Sequence, residues 1–383
     1  MSLIGRLNTN PTTTYIVTGT ISDDHTVALD KALPIKEGKV RLVVGLLVAL
    51  ILVAPAPLWP GEIENGPTPF LLKWGKPGTG QGEFDFPIGV AVNEIDEVVV
   101  ADFYNNRIQR FTADGKFLDE FPTAPFPGGI AIDGEGNLYV AHFGLAPATK
   151  RNPPDGKRFR DQIAVYSPKG KLLRQWGKTG KGDGEFNQPG HIALSKDGKV
   201  YVSDQLNRRI QVFDTEGKFL FKWGQQGAKP GEFGASAHPL QFIGGPTFLA
   251  LDRHGNLYVT EAKECRVQKF SADGTPLLLW GKAGNGPGEF GGPFSGYKGR
   301  EPVVGFHGPM GICVDKQDRV WVVAMSGRIQ QFSDKGNFIR GFGGEGTRPG
   351  ECYAPHGMCI DRHGRLYIAD SFNHRVQKFD VSR

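Results

Sequence analysis

A pattern that recurs six times along the chain restricts the possible folds more than any other feature. Each copy begins with a short apolar strand that is followed by Asp, Asn or Ser. The six segments are Gly89-Val-Ala-Val-Asn, Gly129-Ile-Ala-Ile-Asp, His191-Ile-Ala-Leu-Ser, Phe248-Leu-Ala-Leu-Asp, Gly311-Ile-Cys-Val-Asp and Gly357-Met-Cys-Ile-Asp. A turn, a second strand, a hairpin, a third strand, an Asp-Gly or Glu-Gly turn and a fourth strand follow. Four short strands per copy, at a spacing of ~40 to 60 residues, predict a β-propeller.

The last copy lacks its fourth strand, and the missing piece lies ahead of the first copy. The chain stops soon after the third strand of the sixth copy, whereas Phe70–Gly75 reads F-L-L-K-W-G and nearly matches F-L-F-K-W-G at Phe219–Gly224. Pairing the amino-terminal strand with the last copy removes the free edges of an open array. We therefore predict an all-β, six-bladed propeller over 70–383, closed by an N-terminal strand.

Two recurring motifs resemble the NHL repeat. One is D-x-x-N-x-R-[IV]-Q, which begins at Asp102, Asp204 and Asp370, and the other is the linker G-x-x-G-x-x-x-G-E-F, as in Gly177–Phe186. The resemblance covers Phe70 to Phe379 and implies a six-bladed propeller, in agreement with the count of copies. Because the acidic residue and the arginine repeat in register, we predict a scaffold role for Asp102, Asp204, Asp370 and for the arginines at 107, 209, 266, 328 and 375.

Insertions depart from the repeat on one face of the predicted ring. In an up-and-down blade, the linker from the fourth strand to the next first strand and the hairpin between strands two and three emerge on the same face. Long insertions occur only in these loops, at Ala141–Gln162 and ahead of the fourth and fifth copies. We predict that this face binds a ligand, with the following candidate residues: His142, Lys150, Arg151, Arg158, His191, His238, Tyr297, His307 and His356.

Histidines on that face also suggest a metal site. Neutral imidazoles that converge on the axis could hold zinc with an open position, and the candidate ligands are His142, His191, His307 and His356. The last copy resembles the closing blade of the peptidyl-hydroxyglycine amidating lyase family, which implies that His356 matches a zinc ligand. The third copy has Gly190 where that family has histidine, with His191 displaced by one residue, and no catalytic tyrosine can be assigned by motif.

The region before the propeller contains one strongly apolar run. Residues 1–39 form a small β-rich segment, 40–60 read as a transmembrane or signal-anchor segment, and 61–69 as a linker. Lys36, Lys39 and Arg41 precede the run and Glu62 and Glu64 follow it, so the positive-inside rule places the propeller outside the cytoplasm. We expect an uncleaved anchor; the alternatives are secretion after cleavage and a buried strand and helix.

Charge and cysteine content narrow the function classes. A formal net charge of +5 over 383 residues falls short of the basic footprint of a nucleic-acid binder. The four cysteines show no C-x-x-C pair, and we expect Cys313 and Cys359, in matching strand positions, to pack as apolar residues rather than to form a disulfide. Our leading hypothesis is a membrane-anchored, extracytoplasmic scaffold that binds a peptide, glycan or protein. A metal-dependent lyase or hydrolase is the alternative, and RNA binding, as in some NHL proteins, is a third hypothesis.

Overall fold

The computed structural model describes residues 2–10, 13–21, 27–29, 69–144, 159–234, 244–291, 297–298, 301–302 and 308–382. The chain divides into two compact units, Met1–Trp59 and Pro60–Arg383. The first unit contains a three-stranded antiparallel sheet with the strands Ser2–Asn10, Thr13–Ile21 and Val27–Leu29. The apolar run predicted at 40–60 lies outside the described residues, and none of the helices within them has the length and apolar character needed to cross a membrane.

The second unit contains six four-stranded antiparallel sheets, which we call blades 1 to 6. In spatial order, the strands of blade 1 are Pro87–Val92, Val98–Asp102, Arg107–Phe111 and Phe117–Pro122. Those of blade 2 are Pro127–Ile132, Leu138–His142, Gln162–Tyr166 and Leu172–Trp176. Those of blade 3 are Pro189–Leu194, Lys199–Asp204, Arg209–Asp214 and Phe219–Trp223. The strands of blade 4 are Leu249–Leu251, Leu257–Glu261, Arg266–Phe270 and Pro276–Trp280. Those of blade 5 are Pro309–Val314, Val320–Ala324, Arg328–Phe332 and Phe338–Gly343. Those of blade 6 are Met358–Ile360, Arg365–Asp370, Arg375–Asp380 and Phe70–Trp74.

Shorter elements lie in the connections between these strands. Two-residue strands pair Gln226–Gly227 with Phe233–Gly234, and Tyr297–Lys298 with Glu301–Pro302. Two 3-10 turns, Gln205–Asn207 and Ser371–Asn373, lie in the hairpins between strands two and three of blades 3 and 6.

The first strands of the blades form a closed inner ring. Each contacts the first strand of the next blade, and that of blade 6 contacts that of blade 1. Glycine permits this close approach, because a Cβ on Gly357 would lie 2.3 Å from the carbonyl oxygen of Ile88 and a Cβ on Gly89 would lie 2.4 Å from that of Gly128. The six-bladed architecture predicted from the repeats is thus confirmed.

The N-terminal strand closes the ring as predicted. Phe70–Trp74 pairs antiparallel with the third strand of blade 6, with Trp74 opposite Val376 and Phe70 opposite Phe379. The Asp380 N–H donates to the Pro69 carbonyl at 2.7 Å. The edge that the last copy would otherwise expose is covered by the start of the propeller.

Aromatic side chains of the outer strands join each blade to the next. Gly274, in the Asp-Gly turn of blade 4, lies under the indole of Trp223 from blade 3, and a Cβ there would lie 2.5 Å from that ring. Trp74 covers Gly115 in the same way. Glycine serves these turns twice, since it adopts the required positive φ and leaves room for the ring.

The alternating strand directions give the propeller two distinct faces. The linker face carries the linkers between blades and the hairpins between strands two and three, whereas the turn face carries the remaining turns. The four cysteines, all in the described residues, are free thiols, and Cys265, Cys313 and Cys352 are buried.

Candidate functional site

Buried ion pairs attach the linkers to the blades. In blade 1, Arg107 Nε donates to Asp102 Oδ2 at 2.8 Å, and its terminal nitrogens donate to the carbonyls of Thr79, Gly80 and Glu83 at 2.8 Å each. Gln109 holds the same linker through its amide. Burial raises the pKa of Asp102, and its hydrogen bonds and Arg107 oppose that shift.

We call this combination of an acidic residue, an arginine and the linker carbonyls that the arginine holds the frame, and it recurs in other blades. Arg209 pairs with Asp204 and Arg375 with Asp370, and in blade 4 Arg266 pairs with Glu261. The backbone N–H that each aspartate accepts belongs to the linker, at Asp85, Asn187 and Tyr353. The scaffold role predicted for the repeated arginines agrees with these contacts.

Blade 5 departs from the frame because Ala324 occupies the acidic position. Arg328 donates to the Gly286 carbonyl at 3.1 Å, so its role in holding the linker is retained. Burial lowers the pKa of this guanidinium to about 9.

In blade 1 the hairpin between strands two and three is held by two linkers, and two of its residues lie between the acidic position and the first of these attachments. In blade 1, Asn105 donates to the Gly78 carbonyl of the preceding linker at 2.8 Å, and Asn106 Oδ1 accepts from Phe126 N–H of the following linker at 2.9 Å. The residues between the acidic position and Asn105 are Phe103, which is buried, and Tyr104, which is partly exposed. The frame therefore fixes the backbone while these two side chains vary from blade to blade.

An aromatic surface extends over the linker face from blade 6 to blade 2. We define it by Phe86, Phe103, Tyr104, Phe126, Phe159 and Phe372. Ring centroids are 5.1 Å apart for Phe86 and Phe372, 5.6 Å for Phe86 and Tyr104, and 5.5 Å for Phe126 and Phe159. Phe372 and Phe159 remain 40% and 37% exposed. Phe103 and Phe126 are buried, and Phe86 and Tyr104 are partly buried, so Phe159 and Phe372 are the exposed rings of this cluster. Exposed apolar side chains that adjoin such a cluster are candidate interaction sites.

His142 occupies the acidic position of blade 2, where the linker is different. Only four residues, 123–126, join blade 1 to blade 2, so the glycine-rich linker is absent. Tyr166 accepts from Ala124 N–H at 3.2 Å and its hydroxyl contacts His142 Nε2 at 3.4 Å, while His142 Nδ1 lies 3.1 Å from the Pro125 carbonyl. The ring therefore carries its proton on Nδ1, with Nε2 accepting from the tyrosine. Burial lowers the pKa of His142 to about 4.

His191 fills the space between the first strands of blades 3 and 4. It occupies the position held by Gly89 and Gly129 in blades 1 and 2, and its ring lies 4.8 Å from that of Phe248. The Leu249 N–H donates to Nδ1 at 3.4 Å, so the neutral ring carries its proton on Nε2. Burial lowers the pKa of His191 to about 4.

His356 is the described candidate histidine that lies against the aromatic surface. Ser371 Oγ donates to the Pro87 carbonyl at 2.6 Å and accepts from His356 Nδ1 at 2.9 Å. Its ring contacts Phe86 edge-on at 5.0 Å. Burial lowers the pKa of His356 to about 4. In the described ranges no hydrogen bond engages its Nε2, which leaves that nitrogen available to a ligand.

The structure does not bring the described candidate histidines together. Across the described part of the chain, no group of three or more His, Cys, Asp and Glu side chains could hold a metal ion. The hydrogen bonds described above engage the nitrogen lone pair of His142 and place the proton of His191 on Nε2. They leave the lone pair on Nε2 of His356 unengaged. The zinc centre, with His307 outside the described residues, stays a prediction.

The remaining predicted binding residues cannot be placed at side-chain level. Lys150, Arg151, Arg158, His238 and His307 lie outside the described residues. Tyr297 lies in the short strand Tyr297–Lys298, which is described by its backbone pairing.

Sequence reasoning missed the aromatic surface, although the sequence carries a signal for it. The two variable residues between Asp and Asn in D-x-x-N-x-R are Phe103 and Tyr104 in blade 1, and Ser371 and Phe372 in blade 6. Reading the motif for its variable positions, rather than for its repeated charges, would have placed these rings on the linker face.

Comparisons with known proteins agree with the repeat and the fold. The NHL repeat matches residues 84–111 and 353–379, and a domain described as a 6-bladed beta-propeller matches residues 194–238. Protein brain tumor of Drosophila melanogaster is 27% identical over 148 residues, 37% of this chain and 12% of that protein. Peptidyl-glycine alpha-amidating monooxygenase B of Xenopus laevis is 35% identical over 143 residues, 35% of this chain and 15% of that protein. The match therefore spans less than one sixth of either relative.

A solved structure supports the architecture. A structural genomics protein of unknown function from Bacteroides thetaiotaomicron is 16% identical with a TM-score of 0.56, and the match covers 80% of this chain and 74% of that chain. At this identity the likeness shows the fold alone. The repeat motifs, the six blades and the matched segments together show that the chain carries NHL repeats within a six-bladed β-propeller.

Proposed function

We propose that this protein is a binding scaffold that holds a peptide or protein partner on its linker face, against the aromatic surface. The observation that carries the proposal is the exposed ring of Phe372, which lies on a hairpin whose backbone is fixed by Asp370, Asn373 and Arg375. Aromatic side chains contribute large contact areas at a low cost in conformational entropy, and they dominate the energetics of protein interfaces. NHL propellers generally mediate protein interactions, which supports this choice.

The anchor predicted at 40–60 is part of this proposal. Such an anchor would hold the scaffold at a membrane with the propeller outside the cytoplasm. Protease treatment of intact cells, followed by blotting of the membrane fraction, should show a membrane-bound propeller that is cleaved from outside. Full-length chain that is recovered in the cytoplasm would contradict the anchor and leave the linker-face proposal in place.

A random peptide library displayed on phage tests the binding proposal directly. We expect the full chain to enrich peptides that it retains at least tenfold less well when Phe372 is replaced by serine. Truncation of one central interface aromatic commonly costs about 2 kcal/mol or more, which corresponds to more than a tenfold change. Leu220→Ser is the matched control, because Leu220 is 42% exposed on an outer strand away from the linker face. Equal retention by the parent and Phe372→Ser would refute the proposal.

A metal-dependent lyase or hydrolase is the second candidate, favoured by the available Nε2 of His356. The similarity to an amidating monooxygenase over about a third of this chain also supports it. Metal analysis of the purified full chain after zinc addition should find at most one tightly bound ion, which His356→Ala removes. If the parent binds no zinc and His356→Ala leaves its stability in zinc unchanged, this candidate loses its chemical basis.

A further inference from the structure

The outer strand of each blade has one unpaired edge. The fourth strand of every blade pairs with the third strand of that blade, and the described sheets continue no further. The N–H and C=O groups along such an edge can pair with a strand of another chain. The second residue of each outer strand is also aliphatic and 41% to 52% exposed: Leu71, Leu118, Leu173, Leu220, Leu277 and Ile339.

Charged side chains protect five of these edges. The second to fourth residues of the outer strand are Leu118-Asp119-Glu120, Leu173-Arg174-Gln175, Leu220-Phe221-Lys222, Ile339-Arg340-Gly341 and Leu71-Leu72-Lys73 in blades 1, 2, 3, 5 and 6. A charge on an edge strand opposes pairing with another chain. Blade 4 has Leu277-Leu278-Leu279 at these positions, so among the six described outer strands its edge is the one without this protection.

The edge of blade 4 is accessible. Leu277 is 52% exposed, which is the largest value among the six aliphatic residues at this position. In the described part of the chain, the backbone of Pro276–Trp280 is hydrogen-bonded to the third strand of its own blade and to no other segment. An apolar edge of this kind is a template for an added strand.

Two copies of this edge are complementary when they pair antiparallel about Leu278. In that register Leu277 of one copy lies opposite Leu279 of the other, and the two Leu278 residues lie opposite each other. Apolar cross-strand pairs of this kind stabilise a sheet. The contact is two-fold symmetric and brings together six leucine side chains, with no charged residue between them.

Charges at the two ends of the strand favour the same arrangement. The antiparallel register brings Lys282 of one copy beside the Asp-Gly turn of the other, where Asp273 is exposed. Lys282 pairs with Glu289 at 3.1 Å, yet its side chain is 76% exposed and free to reach across. Because of the symmetry, opposite charges meet at both ends. A parallel pairing would place lysine beside lysine and aspartate beside aspartate.

We propose that the edge of blade 4 is an interface between two copies of this chain, which join their outer strands antiparallel into one eight-stranded sheet. A five-residue strand buries little surface, and small interfaces are transient, so the dimer dissociates on dilution. The proposal is independent of partner binding at the linker face.

Disulfide trapping in the full chain tests the register. In Leu278→Cys the two thiols lie opposite each other, where paired Cα atoms are about 4.5–5.5 Å apart and a disulfide can form. Leu277→Cys is the matched control, because Leu277 is more exposed but lies opposite Leu279. Under mild oxidation Leu278→Cys should give at least about fivefold more linked dimer than Leu277→Cys. No linked dimer, or as much from Leu277→Cys, would overturn the proposal.

Sedimentation velocity over a concentration series tests the interface without a new cysteine. The parent should shift from dimer to monomer on dilution, and Leu279→Lys should stay monomeric because it places a charge where blades 3 and 6 carry one. Leu220→Lys is the control, since it adds the same charge to the edge of blade 3, and it should dimerise like the parent. A parent that is monomeric throughout, or a dimer that Leu279→Lys leaves intact, would refute the interface.

A charge swap tests the two ends of the strand. Lys282→Glu should weaken the dimer by about threefold or more, because an acidic residue then meets Asp273 of the other copy. Adding Asp273→Lys should restore it, since opposite charges meet again, and a loss of local structure would not be repaired in this way. If the double variant dimerises no better than Lys282→Glu, the antiparallel register is wrong.

Discussion

Replacing Arg209 with methionine tests whether the repeated arginines stabilise the ring. Arg209 donates to Asp204 Oδ2 at 2.7 Å and to the linker carbonyls of Lys181, Gly182 and Glu185 at 2.9, 2.7 and 2.8 Å. Methionine retains an apolar stem but removes all four hydrogen bonds. The substitution leaves the buried carboxylate of Asp204 without its cation and removes one donor from each of three linker carbonyls. The Gly182 carbonyl still accepts from Glu185 N–H, and the Glu185 carbonyl still accepts from Gln211.

The expected loss follows from the cost of breaking a buried pair. Removing one partner of such a pair costs about 3–5 kcal/mol. Asp204 keeps hydrogen bonds from Asn187 N–H, Asn207 and Gln211 at 2.7, 2.9 and 3.1 Å, so we expect the lower end, about 3 kcal/mol. Large domains shift by about 2 °C in Tm for each kcal/mol, so Tm should fall by about 6 °C.

The pH dependence identifies the cause. Burial raises the pKa of Asp204 in the parent, against the opposing effects of its hydrogen bonds and Arg209, and removing Arg209 should raise it further. An acid whose folded pKa lies above its unfolded pKa destabilises the fold as pH rises through that interval. The loss caused by Arg209→Met should therefore be smaller at pH 5, where more Asp204 can be neutral, than at pH 8.

Urea unfolding followed by tryptophan fluorescence at both pH values measures this difference. Adding Asp204→Asn to Arg209→Met should recover part of the loss at pH 8, since no buried charge remains. Arg348→Ala is the control, because that exposed arginine pairs with Glu351 on the surface, where such pairs contribute about 0–1 kcal/mol. A loss that matches the control, or one that is equal at pH 5 and pH 8, would refute the reasoning.

Three other perturbations address closure, packing and acid stability. Deleting Phe70–Trp74 should abolish cooperative unfolding and promote aggregation, because it exposes an edge of blade 6; a variant that melts like the parent would show that the blade is completed otherwise. Gly274→Ala should lower the free energy of unfolding in urea by about 1–3 kcal/mol, since φ at Gly274 is +89° and the new Cβ would meet Trp223. Gly134→Ala is the control and should be nearly neutral, because a Cβ there would have no heavy atom within 4 Å. Equal effects of the two substitutions would contradict the packing argument. Burial lowers the pKa of His142 to about 4, so His142 stabilises the fold in its neutral form. This contribution is complete above pH ~6.5 and is lost towards pH 4, by about 3 kcal/mol at most. His142→Gln should flatten that part of a stability–pH profile, and an unchanged profile would show that other groups titrate.

The propeller was predictable because each repeat carries its own evidence. The matching sequences of Phe70–Gly75 and Phe219–Gly224 identified the closing strand, and a defect in one copy can be recognised against five others. The positions of Arg107 and Arg209 in register likewise identified the scaffold, because a site for one ligand has no reason to recur in every blade.

The roles of residues that depart from the repeat, such as His142 and His191, were harder to predict, since they depend on contacts between distant segments. His142 looked like a ligand because it replaces an aspartate, yet its partner is the carbonyl of Pro125 in an unusually short linker. His191 looked displaced by one residue, and it packs against Phe248 of the next blade. Neither contact can be read from spacing within one repeat, because each joins a blade to a segment outside its own strands.

The direction in which the chain enters the ring affects how the protein can be attached to anything else. Phe70 lies opposite Phe379 at the end of the third strand of blade 6, so the closing strand begins at the turn face and runs towards the linker face. An affinity tag, a surface coupling or a fusion partner joined ahead of Pro69 would therefore leave from the side opposite the aromatic rings. Immobilisation through that end should leave Phe372 and its neighbours accessible to solvent, whereas immobilisation through lysines of the linkers would obstruct them.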